Sequence, residues 1–303
     1  MASVPKLTPL GPSPYFPPLG DGYRSDEGFI VYDEFGGPDS LAMLKNFTPR
    51  PDDCYVVSFP KTGTTWLQEI VYLIGTDLNF EKAKSTHLML RCPYLDWRKR
   101  PSNLDEVDSP RFLKFHLPYS MIPESVLNMK CKIFYPMRNP KDTLVSYYHF
   151  CKSDKLIGYN GDFETFFNLF LEDKVLYAPY WKHCQEFWER RHEDNIFIVT
   201  FEDMKKDLPS VIRKVADFMG KKLTPGQVEA VAKHCGFEAM KSNPSTNPDL
   251  DPKLKLFLDQ NVSLFMRKGQ VGDWKNHFTE EMSQRMDEYV DKYYKDFNFV
   301  YEM

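Results

Sequence analysis

The sequence predicts an α/β fold built on a parallel sheet, and three observations carry that expectation. From about Asp53 onward, short apolar runs alternate with longer periodic segments, the pattern of strands alternating with helices. One of these runs leads straight into the loop Pro60-Lys61-Thr62-Gly63-Thr64-Thr65-Trp66 and then a helix, the strand–loop–helix form of a phosphate cradle. The composition, 42% hydrophobic and 27% charged over 303 residues, is that of a globular chain without disorder-like bias. Length alone leaves one large domain or two small ones open.

The first two dozen residues hold Pro5, Pro9, Pro12, Pro14, Pro17 and Pro18 with Gly11, Gly20 and Gly22. Such a stretch is expected to form no regular element, so residues 1–24 read as an extended arm or disordered tail preceding a domain over 25–303. Tyr55–Phe59 reads as the first strand, followed by a helix with Leu67, Ile70, Val71 and Ile74 at helical spacing and a stop at Gly75. Residues 112–116 form a short strand ended by Pro118. Ile133–Tyr135 leads to Arg138-Asn139-Pro140, where Asn139 reads as an N-cap, Pro140 as the first helical residue and Asp142 as the capping-box partner. Ile196–Val199 is the fourth strand, before Phe201-Glu202-Asp203 and a helix carrying Val211, Ile212, Val215 and Phe218, closed by Gly220. Residues 89–110 and 242–262 read as long loops, of the kind that serve as functional lids or stay disordered.

A net charge of −4 and a pI near 6.0 argue against a nucleic-acid partner. The six cysteines, Cys54, Cys92, Cys131, Cys151, Cys184 and Cys235, show no metal-type spacing and read as free thiols. With no signal-like N-terminus and no apolar run near the roughly 18 residues of a membrane span, the expected location is cytoplasmic, with no membrane partner. The 15% aromatic content fits either a flat-walled pocket or an aromatic-rich core.

The loop at 60–66 binds anions for a physical reason: the first N–H groups of a helix lack intrahelical acceptors, and its dipole places partial positive charge there. Lys61 adds a full charge, Gly63 permits close backbone approach, and Thr64 and Thr65 add hydroxyls. The lysine precedes the glycine, unlike the triphosphatase loop, and no acidic Mg²⁺ ligand is evident, which points away from kinase or ATPase chemistry. A second cluster, Phe265-Met266-Arg267-Lys268-Gly269-Gln270-Val271-Gly272-Asp273-Trp274-Lys275, suits a loop wrapped round a phosphate. Arg138 at a strand end and Ser146 two turns into the next helix form a third.

Together, "SFPKTGTTW" (58–66), "KFHLPYSMIP" (114–123), "RNPKDTLVSYYHF" (138–150), "FEDMKKD" (201–207) and "FMRKGQVGDWKNHFT" (265–279) resemble the cytosolic sulfotransferases. These enzymes use 3′-phosphoadenosine 5′-phosphosulfate (PAPS), leaving adenosine 3′,5′-bisphosphate (PAP). The resemblance covers nearly the whole chain after the Pro-rich arm. It implies a single three-layer α/β domain and a reaction requiring no metal. It also implies that Lys61, Thr62, Gly63, Thr64, Thr65 and Trp66 hold the 5′-phosphosulfate. Arg138, Ser146, Arg267, Lys268 and Gly269 would hold the 3′-phosphate. Trp66, Phe201, Cys235, Gly236, Phe237, Met240, Phe265 and Met266 would surround the adenosine, and Ser146 would contact Lys61 to restrain premature PAPS hydrolysis.

Lys114 and His116, two apart on a strand, leave the same face and aim a cation and a base at one point. His116 is the expected general base for the hydroxyl or amine of a small acceptor, Lys61 faces the departing oxygen, and Lys114 the sulfuryl oxygens. Tyr94, Trp97 and Phe150 are expected to line an aromatic acceptor slot for phenols, catecholamines or steroids, with Phe115 and Phe257 as looser candidates and Trp97 favouring small planar molecules. Three departures from the family pattern stand out. Phe201 replaces a common Tyr, and Cys235-Gly236 a common Thr-Ser. The dimer signature is altered to Lys275, Thr279, Glu280 and Gln284, which puts a homodimer in doubt. Two competing readings remain at this stage: a nucleotide kinase on a similar loop, and a non-enzymatic nucleotide binder.

Overall fold

The computed structural model describes residues 5–100 and 103–294. Four short strands, β4 (Cys54–Val57), β5 (Phe112–Phe115), β6 (Lys132–Met137) and β7 (Ile196–Thr200), form a parallel sheet in the order β5-β4-β6-β7. Side chains alternate across it as the pleat requires. Tyr55, Val57, Leu113, Phe115, Ile133 and Tyr135 enter one buried cluster, with Leu144 and Tyr147 of the helix Pro140–Ser153. Cys54, Val56, Phe112, Phe134 and Val199 enter the other, against the helices Thr64–Gly75 and Leu208–Phe218. Burial on both faces explains why β4 is apolar throughout rather than alternating. The three layers match the predicted fold class.

The proline-rich arm departs from expectation. Its described residues are not irregular: β1 (Leu7–Pro12), β2 (Asp21–Ser25) and β3 (Ile30–Tyr32) make a three-stranded antiparallel sheet. The strand β1 lies at the edge and is mostly exposed, where Pro9 and Pro12 leave no central ladder bond unmade, and the register slips between Pro9 and Gly11. Phe16 and Leu19 are buried in the main core, and Ile30 N–H donates to Ala178 O. The expected boundary at residues 24/25 thus falls inside β2.

Asp142 is a second correction. Asn139 does cap the helix Pro140–Ser153, accepting from Lys141 N–H at 2.9 Å, but its own N–H donates to Glu202 Oε1 at 3.1 Å. Asp142 instead accepts from Gly272 N–H at 2.6 Å and Trp274 N–H at 3.0 Å, pinning the loop that carries Arg267 and Lys268. Thr279, of the altered dimer signature, caps the helix Glu280–Tyr293.

The sheet puts four of the predicted site segments at the carboxyl end of its strands. The phosphate loop follows β4, His116 follows β5, Arg138 follows β6 and Phe201 follows β7. The carboxyl ends of parallel strands are where open α/β sheets bind ligands, because helix N-termini converge there. No helix among the described residues is long and apolar enough to cross a membrane.

Candidate active site

Two positive φ angles shape the loop after β4. Lys61 adopts φ +69°, a costly conformation for a residue with a side chain, and Gly63 adopts φ +110° just before the helix begins at Thr64. Thr62 turns its hydroxyl inward to Phe59 O at 2.9 Å and is buried. Thr64 Oγ1 lies 2.6 Å from Ser58 Oγ.

Beyond this loop lies a cavity of about 170 Å³ bordered by five cationic side chains, Lys61, Lys114, Arg138, Arg267 and Lys268. The Arg138 guanidinium rests 4.2 Å from the Phe201 ring centre and donates to the carbonyls of Lys61 (3.3 Å) and Gln270 (2.9 Å). Asp273 pairs with Arg267 and Lys268, each at 2.6 Å, and those contacts hold its carboxyl well below the usual range despite burial. Gly269 (φ +61°) abuts the Phe237 ring so closely that a Cβ would collide with it. Gly63, Thr64, Thr65, Trp66, Ser146, Cys235, Met240, Phe265 and Met266 complete the predicted wall, and Gln270 joins it unforeseen. Thr62 and Gly236 are the exceptions. Both stand outside the lining, Thr62 bonded inward and Gly236 serving as N-cap of the helix Phe237–Lys241. Two buried donors in this cavity, Arg138 Nε and Trp66 Nε1, have no protein partner among the described residues. Such leftover donors among cations and aromatic rings fit a phosphate and a purine.

Lys61 Nζ is held between the Phe265 and Phe150 rings, 4.0 and 4.7 Å from their centres, and donates to Phe265 O at 3.4 Å. The contact expected between Lys61 and Ser146 is not made, although both border the cavity. Burial, reinforced by Arg138 and Lys114, lowers the Lys61 pKa to about 7. Lys114 Nζ lies 4.1 Å over the Tyr94 ring, and burial lowers its pKa to about 8 against the pull of Asp96 and Asp154.

His116 is buried and fixed on three sides. Its N–H donates to both Asp96 oxygens at 3.1 Å, its carbonyl accepts from His183 Nε2 at 3.0 Å, and its Nδ1 lies 2.6 Å from Ser58 O. A carbonyl only accepts, so Nδ1 carries the proton and Nε2 of the neutral ring keeps a free lone pair. Burial, with Lys114 adding like charge, drives the His116 pKa well below 6.5 and keeps the ring neutral.

Residues 51–298 match the sulfotransferase domain family. The chain belongs to the sulfotransferase family. It is 40% identical to sulfotransferase 1C2 of Rattus norvegicus over 82% of this chain and 86% of that protein. It is 39% identical to the luciferin sulfotransferase of Photinus pyralis over 86% and 76%. Among solved structures, retinol dehydratase in complex with androsterone and PAP is 32% identical, with a TM-score of 0.84 over 93% of this chain and 91% of that one. A mouse sulfotransferase complexed with PAP is 27% identical, with a TM-score of 0.74 over 91% and 95%.

A second cavity of this sulfotransferase, about 180 Å³, is lined by aromatic and aliphatic side chains, among them Tyr94, Trp97, Phe150 and Phe257 as predicted. Phe115 is not among them: it stacks on Tyr55 in the core, on the sheet face opposite Lys114. Phe35, next to the N-terminal sheet, stacks against both Tyr94 and Trp97, and Trp97 Nε1 donates to Glu34 Oε1. Both expected loops contribute: Trp97 from the first, and Pro248, Phe257 and Leu258 from the second. The two cavities share Pro60, Thr65, Lys114, His116, Phe150 and Phe265. The sequence reading missed Asp96, Tyr177, Asp154 and Gln270, which lie outside the matched motifs or within them without a distinguishing spacing. His183, buried beneath the site, has the structural task of holding the His116 carbonyl.

Proposed function

We propose that this sulfotransferase moves a sulfuryl group from PAPS to the hydroxyl or amine of a small acceptor, phenolic, catecholamine-like or steroid-like, with His116 as general base. The observation that carries the reading is the shared wall: a cation-rich cavity and an aromatic cavity meet at Lys114 and His116. The PAP named in two structural neighbours supports assigning the cation-rich side to the nucleotide. Arg138, Arg267 and Lys268 suit the 3′-phosphate, the loop at Lys61–Thr65 the 5′ end, and the rings of Trp66, Phe201 and Phe237 the adenosine.

PAPS supplies the sulfuryl group. Nε2 of His116 takes the proton from the acceptor atom as it attacks in line, a contribution of about 10²–10⁴-fold. Lys61 faces the departing bridging oxygen and Lys114 the sulfuryl oxygens, both in a half-buried setting where charge counts for more than in water. Ser146 borders the nucleotide side. The six buried free cysteines suit a reducing compartment, and we assign the enzyme to the cytoplasm.

The test is a thermal-shift comparison of PAP with ATP plus Mg²⁺, followed by labelled-PAPS turnover over phenols, amines and steroids. PAP should stabilise the protein, and at least one acceptor class should be sulfated. Stabilisation by ATP plus Mg²⁺ but not by PAP would overturn the reading.

A further inference from the structure

The carboxylate of Asp96 is fully buried, yet among the described residues no lysine or arginine forms an ion pair with it. A buried charge without a direct counter-ion is costly and persists where hydrogen bonds and nearby charge compensate it. Here two routes lead from it to the shared wall. Both oxygens accept from His116 N–H at 3.1 Å. Oδ2 also accepts from the Tyr177 hydroxyl at 2.7 Å, which leaves the Tyr177 oxygen to accept from the Tyr94 hydroxyl at 2.6 Å. The Tyr94 ring, so held, packs edge-on against the His116 ring at 5.1 Å between centres and carries the Lys114 ammonium at 4.1 Å.

We propose that Asp96 is a positioning residue for sulfuryl transfer: it anchors the backbone at His116 and, through Tyr177 and Tyr94, the ring beneath Lys114, while its charge keeps Lys114 protonated. The inference rests on the roles given above to His116 and Lys114. Burial raises the Asp96 pKa to about 6, against Tyr177, His116 N–H and Lys114, so the group is ionised at neutral pH. Around Lys114, Asp96 and Asp154 favour the charged form while burial opposes it. Arg100 also feels Asp96 but donates to Leu95 O.

The experiment compares Asp96→Asn and Tyr177→Phe with the parent enzyme at saturating PAPS, measuring PAP affinity, kcat, acceptor KM and the pH–kcat profile. Asparagine keeps the shape and one accepting oxygen but loses the charge. For Asp96→Asn the expected outcome is PAP affinity within about twofold and kcat lower by about 10–100-fold, the cost of a small misplacement at a reacting group. The alkaline limb should move toward acid by about one pH unit as Lys114 loses its facing anion. Tyr177→Phe, which keeps the charge, should lower kcat about three- to tenfold without moving that limb. An Asp96→Asn enzyme with kcat within twofold, or with an unmoved limb, overturns the proposal. If that variant does not fold, a Tyr177→Phe kcat within twofold overturns it instead, and a loss of kcat at unchanged PAP affinity supports it. His116→Ala separates the two levels: turnover retained there sinks the base assignment, whereas a dead His116→Ala beside an unaffected Asp96→Asn sinks only this one.

Discussion

Ser58 joins His116 to the phosphate loop: its carbonyl lies 2.6 Å from His116 Nδ1, and its hydroxyl 2.6 Å from Thr64 Oγ1 at the start of the following helix. One residue between β4 and the loop therefore sets both the tautomer of the base and the first turn of the anion site. His116 and the loop at 60–66 follow adjacent parallel strands, and the sheet itself sets their separation.

His116→Asn should lower kcat by about 10²–10⁴-fold while PAP affinity stays within threefold, since the ring borders the cavity without adding charge to it. As the proposed base, His116 acts through its neutral ring, and burial with Lys114 disfavours protonation. The acid limb of the pH–kcat profile should accordingly have its midpoint below pH 6.5. A limb at or above 6.5 would contradict the buried, neutral base.

Lys61 makes a prediction of opposite sign. Its pKa is lowered to about 7 by burial and by Arg138 and Lys114, and a phosphate beside it favours the ammonium, so PAP binding should take up a proton near pH 8. Affinity is then greatest below pH 7 and declines above it, by about fivefold between pH 7 and 8. Calorimetry in buffers of different ionisation enthalpy reads the proton directly. In Lys61→Met the uptake should vanish along with most of the pH dependence.

Asp142→Asn tests the loop that carries Arg267 and Lys268. Its carboxylate accepts from Gly272 and Trp274, and charge-assisted bonds of this kind are worth about 1.5–3 kcal/mol each. With part of that lost, the loop bearing Arg267 and Lys268 loosens, and PAP affinity should fall about tenfold while acceptor KM changes little. A capping-box role alone would instead lower the melting temperature and leave PAP affinity intact.

Asp142 also illustrates what the sequence could and could not reveal. A carboxylate three residues after Asn139 satisfies a local rule, and only the fold brings residues 272 and 274 to it from the far end of the chain. The four strands and the clusters at Lys61, Arg138 and Arg267 were legible because short continuous apolar runs and strand–loop–helix junctions are local signals. The inward turn of the Thr62 hydroxyl and the N-cap place of Gly236 were not legible, because a motif says which residues occur together, not which way a hydroxyl turns. The arm failed for a related reason. Prolines forbid a central strand but not an edge, and edge position is a tertiary fact. Asp96, reached through Tyr177 from 81 residues away, left no periodic trace at all.

Asp154 carries the last prediction, on acceptor choice. It borders the aromatic cavity at the end of the helix that holds Ser146 and Phe150, so residues 146, 150 and 154 follow one helix face from the nucleotide side to the acceptor side. Its Oδ1 accepts from Leu156 and Ile157 N–H at 2.8 and 3.1 Å, and burial raises its pKa to about 6. Above that pH it places a negative charge in a mainly apolar slot that Lys114 also borders, which favours acceptors bearing a protonated amine over neutral ones of the same shape. Asp154→Asn should lower kcat/KM for an aminoethyl phenol by about 10–100-fold and leave the matching ethyl phenol within threefold. In the parent enzyme the same preference should fade as pH falls through 6, where the carboxylate takes up its proton while the amine keeps its own. Equal losses for both phenols would mean that Asp154 only shapes the turn at Leu156 and Ile157.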